Sequence, residues 1–288
     1  MAGTLPFRRV AVIGTGLIGG SFALALQKHF PDVSIAGYDR PDVLKIAVAR
    51  SAINQPTSDL AGALHGADLV YVALPIITTL EILPEIAKRV DPGVLVTDAC
   101  STKSVICRTA RKDFGSGAVF LGGHPMAGKE QSGIEHADAE LFRGAPYALI
   151  GSAESADPRA NAFAETLGAI GAQPAWCDAE THDWAVGIVS HLPQILSIAL
   201  ARVVQDETDE TGLPLSLAGQ GLQDMLRLAG SPYGVWRDIL LTNTENVSRA
   251  LDRLAQTIDY LRTRLATKDI EQEFQAANEI YKQLQKLR

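Results

Sequence analysis

Apolar positions in the first two thirds of the chain fall in short β-branched runs separated by stretches of helical period. Residues 10–13, 34–38, 69–74 and 94–98 read as buried strands, and 17–30, 44–52 and 80–90 as helices between them. Strands that alternate with helices pair in parallel through right-handed crossovers, so the pattern predicts an α/β sheet. Two further strands are expected at 119–122 and 147–150. A helix at 160–170 and a short run at 173–177 are expected to close the same sheet. After Asp178 strand patterns stop and nearly everything reads as helix. In the tail, Val247, Leu251, Leu254, Ile258, Leu261 and Leu265 are spaced 4, 3, 4, 3 and 4 residues apart. That heptad-like seam needs a partner surface, supplied by the same chain or by a second copy. The expected organisation is an α/β domain over 1–177 and an all-helical domain over 178–288.

Composition narrows the function classes. With 288 residues, 47% hydrophobic and 20% charged, the chain has the make-up of a folded enzyme rather than a disordered segment. It carries 26 basic and 33 acidic residues, a net −7, and no clustered basic face, so no nucleic-acid partner is expected. Cys100, Cys107 and Cys177 form no CxxC pair, which argues against a disulfide framework and a cysteine metal site, and no metal is expected. The N-terminus lacks the apolar core of a signal peptide. The apolar stretch 184–204 is interrupted by His191, Pro193, Gln194 and Arg202, so the expectation is a soluble, cytoplasmic protein without a membrane span.

Against that background several motifs carry chemistry. Gly14-Thr15-Gly16-Leu17-Ile18-Gly19 is a GxGxxG turn between a strand and a helix. The first glycine permits the tight turn, the second admits a pyrophosphate to the backbone, and the third lets helix pack on strand. Asp39, at the end of the next strand, is placed to bond the adenosine ribose of NAD and repel the extra phosphate of NADP. Arg40 beside it can accept that phosphate, so NAD is the expected cofactor with NADP left open. Leu74 and Pro75 end the third strand, where the chain should pass the nicotinamide ribose. Ser101 follows the fourth strand, either as a site hydroxyl shared by cofactor and substrate or as a helix N-cap. His124, within Gly-Gly-His-Pro-Met-Ala-Gly, stands just after a strand at the same sheet edge. An imidazole there is the natural base for a hydroxyl proton when hydride leaves the substrate. Gly128 lies beyond it, and Lys129 and Glu130 form either a lid ion pair or a solvated surface. In the helical half, His191 and Gln194 sit beside Pro193, where a kink can line a pocket. Arg227, in an apolar helix, needs an anion, from Asp224 or from a ligand carboxylate. Trp236-Arg237-Asp238 reads as structural.

Taken together, GTGLIGGS, DACSTK, GGHPMAG, VSHLP, GLQDMLRLA and WRDILLTNTENV resemble the prephenate/arogenate dehydrogenase family of tyrosine biosynthesis over residues 9–251. The resemblance implies a Rossmann-type domain followed by an all-α dimerisation domain, an arrangement like that of 6-phosphogluconate dehydrogenase, with the active site in the cleft between them. It implies oxidative decarboxylation of prephenate or arogenate by NAD. His124 would be the base, with Ser101 on the substrate hydroxyl, Arg227 on a substrate carboxylate and His191 beside the substrate. Gln194 departs from the family pattern, which has a second histidine there, and this leaves the choice of substrate open. The resemblance also implies a homodimer through the helical domain. Three alternatives remain at this stage: a β-hydroxyacid dehydrogenase of the same architecture, an enzyme acting on an aminated prephenate, and a silent NAD-binding regulator. The first normally uses a lysine on the helix that here carries His191.

Overall fold

The computed structural model describes residues 5–114, 117–129, 131–154, 156–267 and 269–286. Strands β1 (Arg9–Ile13), β2 (Ser34–Tyr38), β3 (Gln55–Thr57), β4 (Leu69–Val72), β5 (Leu95–Asp98) and β6 (Val119–Leu121) form one sheet in the order β3-β2-β1-β4-β5-β6. Every pairing in it is parallel. Successive residues of each strand enter opposite cores, as the pleat requires. Val10, Val12, Leu69 and Tyr71 pack with Phe22 and Leu26, whereas Ala11, Ile13, Val70 and Val72 pack with Ala63 and Ile86. Burial on both faces explains why these strands read as unbroken apolar runs.

The sheet does not close as the sequence suggests. The chain leaves it at Gly122, and β7 (Gly123–Pro125) pairs antiparallel with β8 (Pro146–Ile150), which pairs parallel with β9 (Gln173–Cys177). Residues 147–150 and 173–177 therefore belong to a separate three-stranded sheet. Two glycines make the turn sterically feasible. A Cβ on Gly122 would lie 2.6 Å from Cys107 Sγ, and one on Gly123 would lie 2.7 Å from the Asp98 carbonyl. The two sheets are tied by the buried Tyr71 and Tyr147 hydroxyls, 3.0 Å apart. Strand β3, helix α3 (Leu60–Leu64) and a helix at Ser104–Asp113 are additions to the expected elements; β3 and α3 are too short to show a period.

The other helices of the first half are α1 (Leu17–His29), α2 (Pro41–Ala49), α4 (Ile76–Ala87), α5 (Ser104–Asp113) and α6 (Pro158–Ala169). After Cys177 the described residues are helical or irregular. Helix α7 (Ala179–Val186) continues through a π turn at Gly187–His191 into α8 (Leu192–Glu207). Pro193 has no N–H to donate, and the wide turn immediately before it lets the helix run on; such turns often mark functional sites. By length and composition alone, Ala179–Glu207 could cross a membrane, with a mean hydropathy of 1.5 over its most apolar window. One side of it, however, carries His182, Asp183, His191 and Gln194 buried against the rest of the protein.

Short α9 (Leu213–Ser216) and α10 (Gln220–Leu226) lead to α11 (Tyr233–Thr242), α12 (Thr244–Arg262) and α13 (Ile270–Lys286). Along the seam Val247 is buried, Leu251 and Leu254 are half-buried, and Ile258 is exposed, while Leu265 lies past the end of α12. Leu261 is half-buried, whereas Phe274, Ile280, Tyr281 and Leu284 of α13 are exposed, so the chain itself covers the seam only in part.

Two carboxylates from this half cap helices of the first. Asp183 accepts from Lys103 N at 2.7 Å and Ser104 N at 2.8 Å at the start of α5. Asp238 accepts from Ile77 N at 3.2 Å at the start of α4. Neither helix has a side-chain cap of its own. A third link joins the Thr102 and Thr242 hydroxyls at 2.8 Å.

Candidate active site

The glycine turn lies at the C-terminal edge of β1, where open parallel sheets bind ligands. Gly14 has φ +92°, and a Cβ there would sit 2.5 Å from the Ala73 carbonyl. A Cβ on Gly19 would sit 1.9 Å from the Gly14 carbonyl, but one on Gly16 meets nothing within 4 Å. Fold packing therefore demands the outer glycines and leaves the middle one facing open space. Gly16 is the N-cap of α1 and offers no side chain to the first helical N–H groups, from Leu17 and Ile18 onward, so they remain available to an anion. Asp39 ends β2 beside the turn and accepts from Thr15 N at 2.7 Å and Arg40 N at 2.8 Å. A carboxylate has lone pairs for more partners than these, so a ribose hydroxyl fits as well. The Arg40 guanidinium points to solvent near Asp42, at 3.6 Å. Leu74 is half-buried after β4, and Pro75 is the N-cap of α4. On these contacts the residues suit a dinucleotide.

Beyond β5, Asp98 anchors the catalytic edge. Its carboxylate accepts from Cys100 N at 2.9 Å and Gly123 N at 3.1 Å and pairs with Lys103 Nζ, which also donates to the Gly123 carbonyl at 2.7 Å. Both members of the pair are fully buried. Burial pushes the Lys103 ammonium down, but the adjacent Asp98 carboxylate outweighs it and holds the group charged. Ser101 is half-buried in the loop between β5 and α5.

His124, on β7, is 8% exposed. Its Nδ1 lies 2.9 Å from His182 Nε2, and His182 Nδ1 lies 2.8 Å from Asp183 Oδ1. Among the described residues His124 Nε2 has no hydrogen-bond partner, nor is it a sealed polar atom. Its pKa is held well below the usual histidine value, first by burial and then by His182, Lys103 and His191. His191 Nδ1 lies 3.1 Å from Asn243 Nδ2, which also donates to the Asp183 carbonyl at 2.7 Å. Asn246 fixes the amide orientation by donating to Asn243 Oδ1 at 2.8 Å. Asn243 therefore donates to His191, whose proton is on Nε2. The His191 ring stands edge-on to Trp236, and burial lowers its pKa to about 4.

Other expected site residues lie differently. Gln194 is buried, and its Oε1 has no partner among the described residues. Arg227 is exposed at the end of α10, where a 3₁₀ turn, Arg227–Gly230, begins, rather than enclosed in an apolar helix, because α10 itself buries none of its residues. Gly128 and Lys129 are exposed; Lys129 donates to the His136 carbonyl at 3.2 Å and pairs with Asp138 at 3.3 Å. Glu130 lies outside the described residues. His182, Asp183 and Asn243 were not legible as site residues. The only sign was a polar His-Asp step within an apolar helical run.

Residues 22–175 match the family model described as prephenate dehydrogenase, nucleotide-binding domain, and 178–279 match prephenate dehydrogenase, dimerization domain. A prephenate dehydrogenase of Lactococcus lactis is 37% identical over 264 residues, covering 91% of this chain and 72% of the relative. The solved prephenate dehydrogenase of Aquifex aeolicus, in complex with hydroxyphenyl propionate and NAD+, aligns with a TM-score of 0.88 at 27% identity, covering 99% of this chain and 100% of that one. A Synechocystis arogenate dehydrogenase aligns with a TM-score of 0.80 at 27% identity, covering 97% and 100%.

Proposed function

The chain belongs to the prephenate dehydrogenase family, and from that premise we propose how its own residues perform the reaction. It is an NAD-dependent, decarboxylating oxidoreductase that turns prephenate into 4-hydroxyphenylpyruvate. NAD, when bound, supplies the hydride acceptor. Gly14, Gly16, Leu17, Ile18 and Gly19 receive its pyrophosphate, Asp39 its adenosine ribose, and Leu74, Pro75 and Ser101 its nicotinamide end. His124 Nε2 accepts the proton of the substrate's ring hydroxyl as hydride leaves, and Ser101 orients that hydroxyl. Such a base contributes roughly 10²–10⁴ in rate. Loss of the ring carboxylate then restores an aromatic ring, so no acid is needed to drive that step. Arg227 holds a substrate carboxylate, with His191, Gln194, Gly128 and Lys129 around the rest of the molecule. His191, as an Nε2–H donor, complements an oxygen, whereas His124 is an acceptor.

One observation carries this reading. A glycine turn whose middle member faces open space ends β1, and the chain that leaves the same sheet at Gly122 runs directly into β7 of the second sheet, which carries a buried histidine whose Nε2 has no protein partner among the described residues. Arogenate is a second substrate favoured by a separate observation. Gln194 Oε1 is buried without a donor, and an ammonium would supply one. The helical half supplies a dimerisation domain, and the uncovered apolar rows of α12 and α13 support a homodimer joined through residues 178–288, with 1–177 as the nucleotide domain. The composition suits a soluble, cytoplasmic enzyme.

Reduced-nicotinamide absorbance, with NAD or NADP crossed against prephenate or arogenate, tests the function. NAD-dependent turnover of prephenate is expected, and the ratio of kcat/KM values measures what Gln194 permits. Absence of turnover in all four combinations, with NAD still bound, would overturn it.

A further inference from the structure

Beyond the base itself, the proton positions in the hydrogen-bonded line Asp183–His182–His124 follow from valence. The Asp183 carboxylate can only accept, so His182 carries a proton on Nδ1. In neutral His182 this leaves Nε2 as a lone pair. The contact at 2.9 Å then requires His124 to donate from Nδ1, which leaves His124 Nε2 unprotonated. The tautomer that a base needs is the one this line enforces.

We propose that His182 and Asp183 are positioning residues that hold His124 in its Nε2-acceptor tautomer and take over the charge when His124 is protonated. The idea rests on His124 being the base. As the substrate O–H bond breaks, its proton bonds to His124 Nε2. The Nδ1 proton of His124 passes to His182 Nε2, and the resulting imidazolium lies beside the Asp183 carboxylate. The line gains one proton, the one the substrate loses, and the hydride electrons leave with the cofactor. The cation thereby ends next to an anion instead of next to Lys103.

The charged and titratable groups facing this line support that direction. Lys103, on the β5–α5 loop, and His191, on the π turn, both oppose a positive charge on His124. Asp98 is committed to Lys103 and to the Gly123 and Cys100 amides. Asp183 is left as the anion in line with the imidazoles. Its carboxyl is held below the usual range: burial raises it, but bonds from His182, Ser104 and Lys103 prevail. Asp183 belongs to the helical half and caps α5 of the other half, so correct docking of the two halves also sets the polarity of the base.

Two substitutions separate the functions of His182. In His182→Gln the amide oxygen can still accept from His124 Nδ1 but cannot take a proton. His182→Phe keeps the ring volume and removes the acceptor. ¹⁵N-histidine spectra of the ligand-free protein should show His124 protonated on Nδ1 in the wild type and in His182→Gln, and a mixture of tautomers in His182→Phe. In turnover, His182→Phe should lose kcat on the order of 10²-fold with KM little changed, and His182→Gln should lose less. Both variants should bind NAD as the wild type does. A wild-type His124 protonated on Nε2 would overturn the proposal, and so would a His182→Phe enzyme with undiminished kcat. If no substrate turns over, the function reading fails, and the spectra still decide whether the line fixes the tautomer.

Discussion

Lys103 is the residue whose removal tests the catalytic edge most directly. Its ammonium has no solvent exposure and is shared between the Asp98 carboxylate and the Gly123 carbonyl. Lys103→Met preserves most of the volume and deletes the charge. Asp98 would keep its two amide donors, from Cys100 at 2.9 Å and Gly123 at 3.1 Å, but would become an uncompensated buried anion. Breaking a buried pair from one side costs about 3–5 kcal/mol. At about 2–4 °C per kcal/mol for a domain of this size, melting should fall by roughly 6–20 °C. The double variant Asp98→Asn, Lys103→Met removes both charges and should recover part of that loss, a coupling that thermal unfolding of the ligand-free proteins measures. There is also a kinetic consequence. Lys103 opposes protonation of His124, so its loss raises the histidine's pKa and moves the acid limb of kcat/KM toward neutral pH. A single variant within about 1 kcal/mol of wild type, or a double variant whose loss is the simple sum, would refute the reasoning.

Other outcomes follow from the same geometry. Gly16→Ala should melt like the wild type but bind NAD more weakly in titrations, whereas Gly19→Ala should unfold the turn, since its Cβ would meet the Gly14 carbonyl at 1.9 Å. His191 has a folded pKa of about 4 against an ordinary 6.5, so its contribution to stability is complete above pH 6.5 and is lost as pH falls toward 4. The loss is roughly 3 kcal/mol, and urea midpoints for His191→Asn should depend less steeply on pH over that range; an unchanged slope would contradict the burial argument. Phe274→Asp combined with Ile280→Asp should yield monomers in sedimentation if α13 meets a second copy, and an unaltered mass would move the interface elsewhere.

Much of the molecule can be read from residue patterns because its physics is local. The apolar runs of β1, β2, β4 and β5 are buried on both faces, and the glycine spacing answers to close approaches at Ala73 and Gly14. His124 was recognisable because a strand ends in glycines just before it. What was not local was not legible. The second sheet depends on how Gly122 and Gly123 pass Cys107 and the Asp98 carbonyl, contacts distant in sequence. Arg227 was expected in apolar enclosure, but a helix face of that kind can also be left for another molecule to cover. His182 and Asp183 resemble ordinary polar residues of a first helical turn until the helix is docked. Asp238, read as structural, caps α4 across 161 residues of sequence.

The two borrowed helix caps bear on the order in which the enzyme can be made. Synthesis delivers the glycine turn and the first six strands well before residues 183 and 238 leave the ribosome. Until then α4 and α5 begin with bare N–H groups, because neither Pro75 nor Lys103 caps its own helix. A nascent or truncated chain ending near residue 177 therefore carries the whole glycine turn but lacks the carboxylates that cap α4 and α5. The C-terminal half, made last, plugs two open helix ends in the half made first.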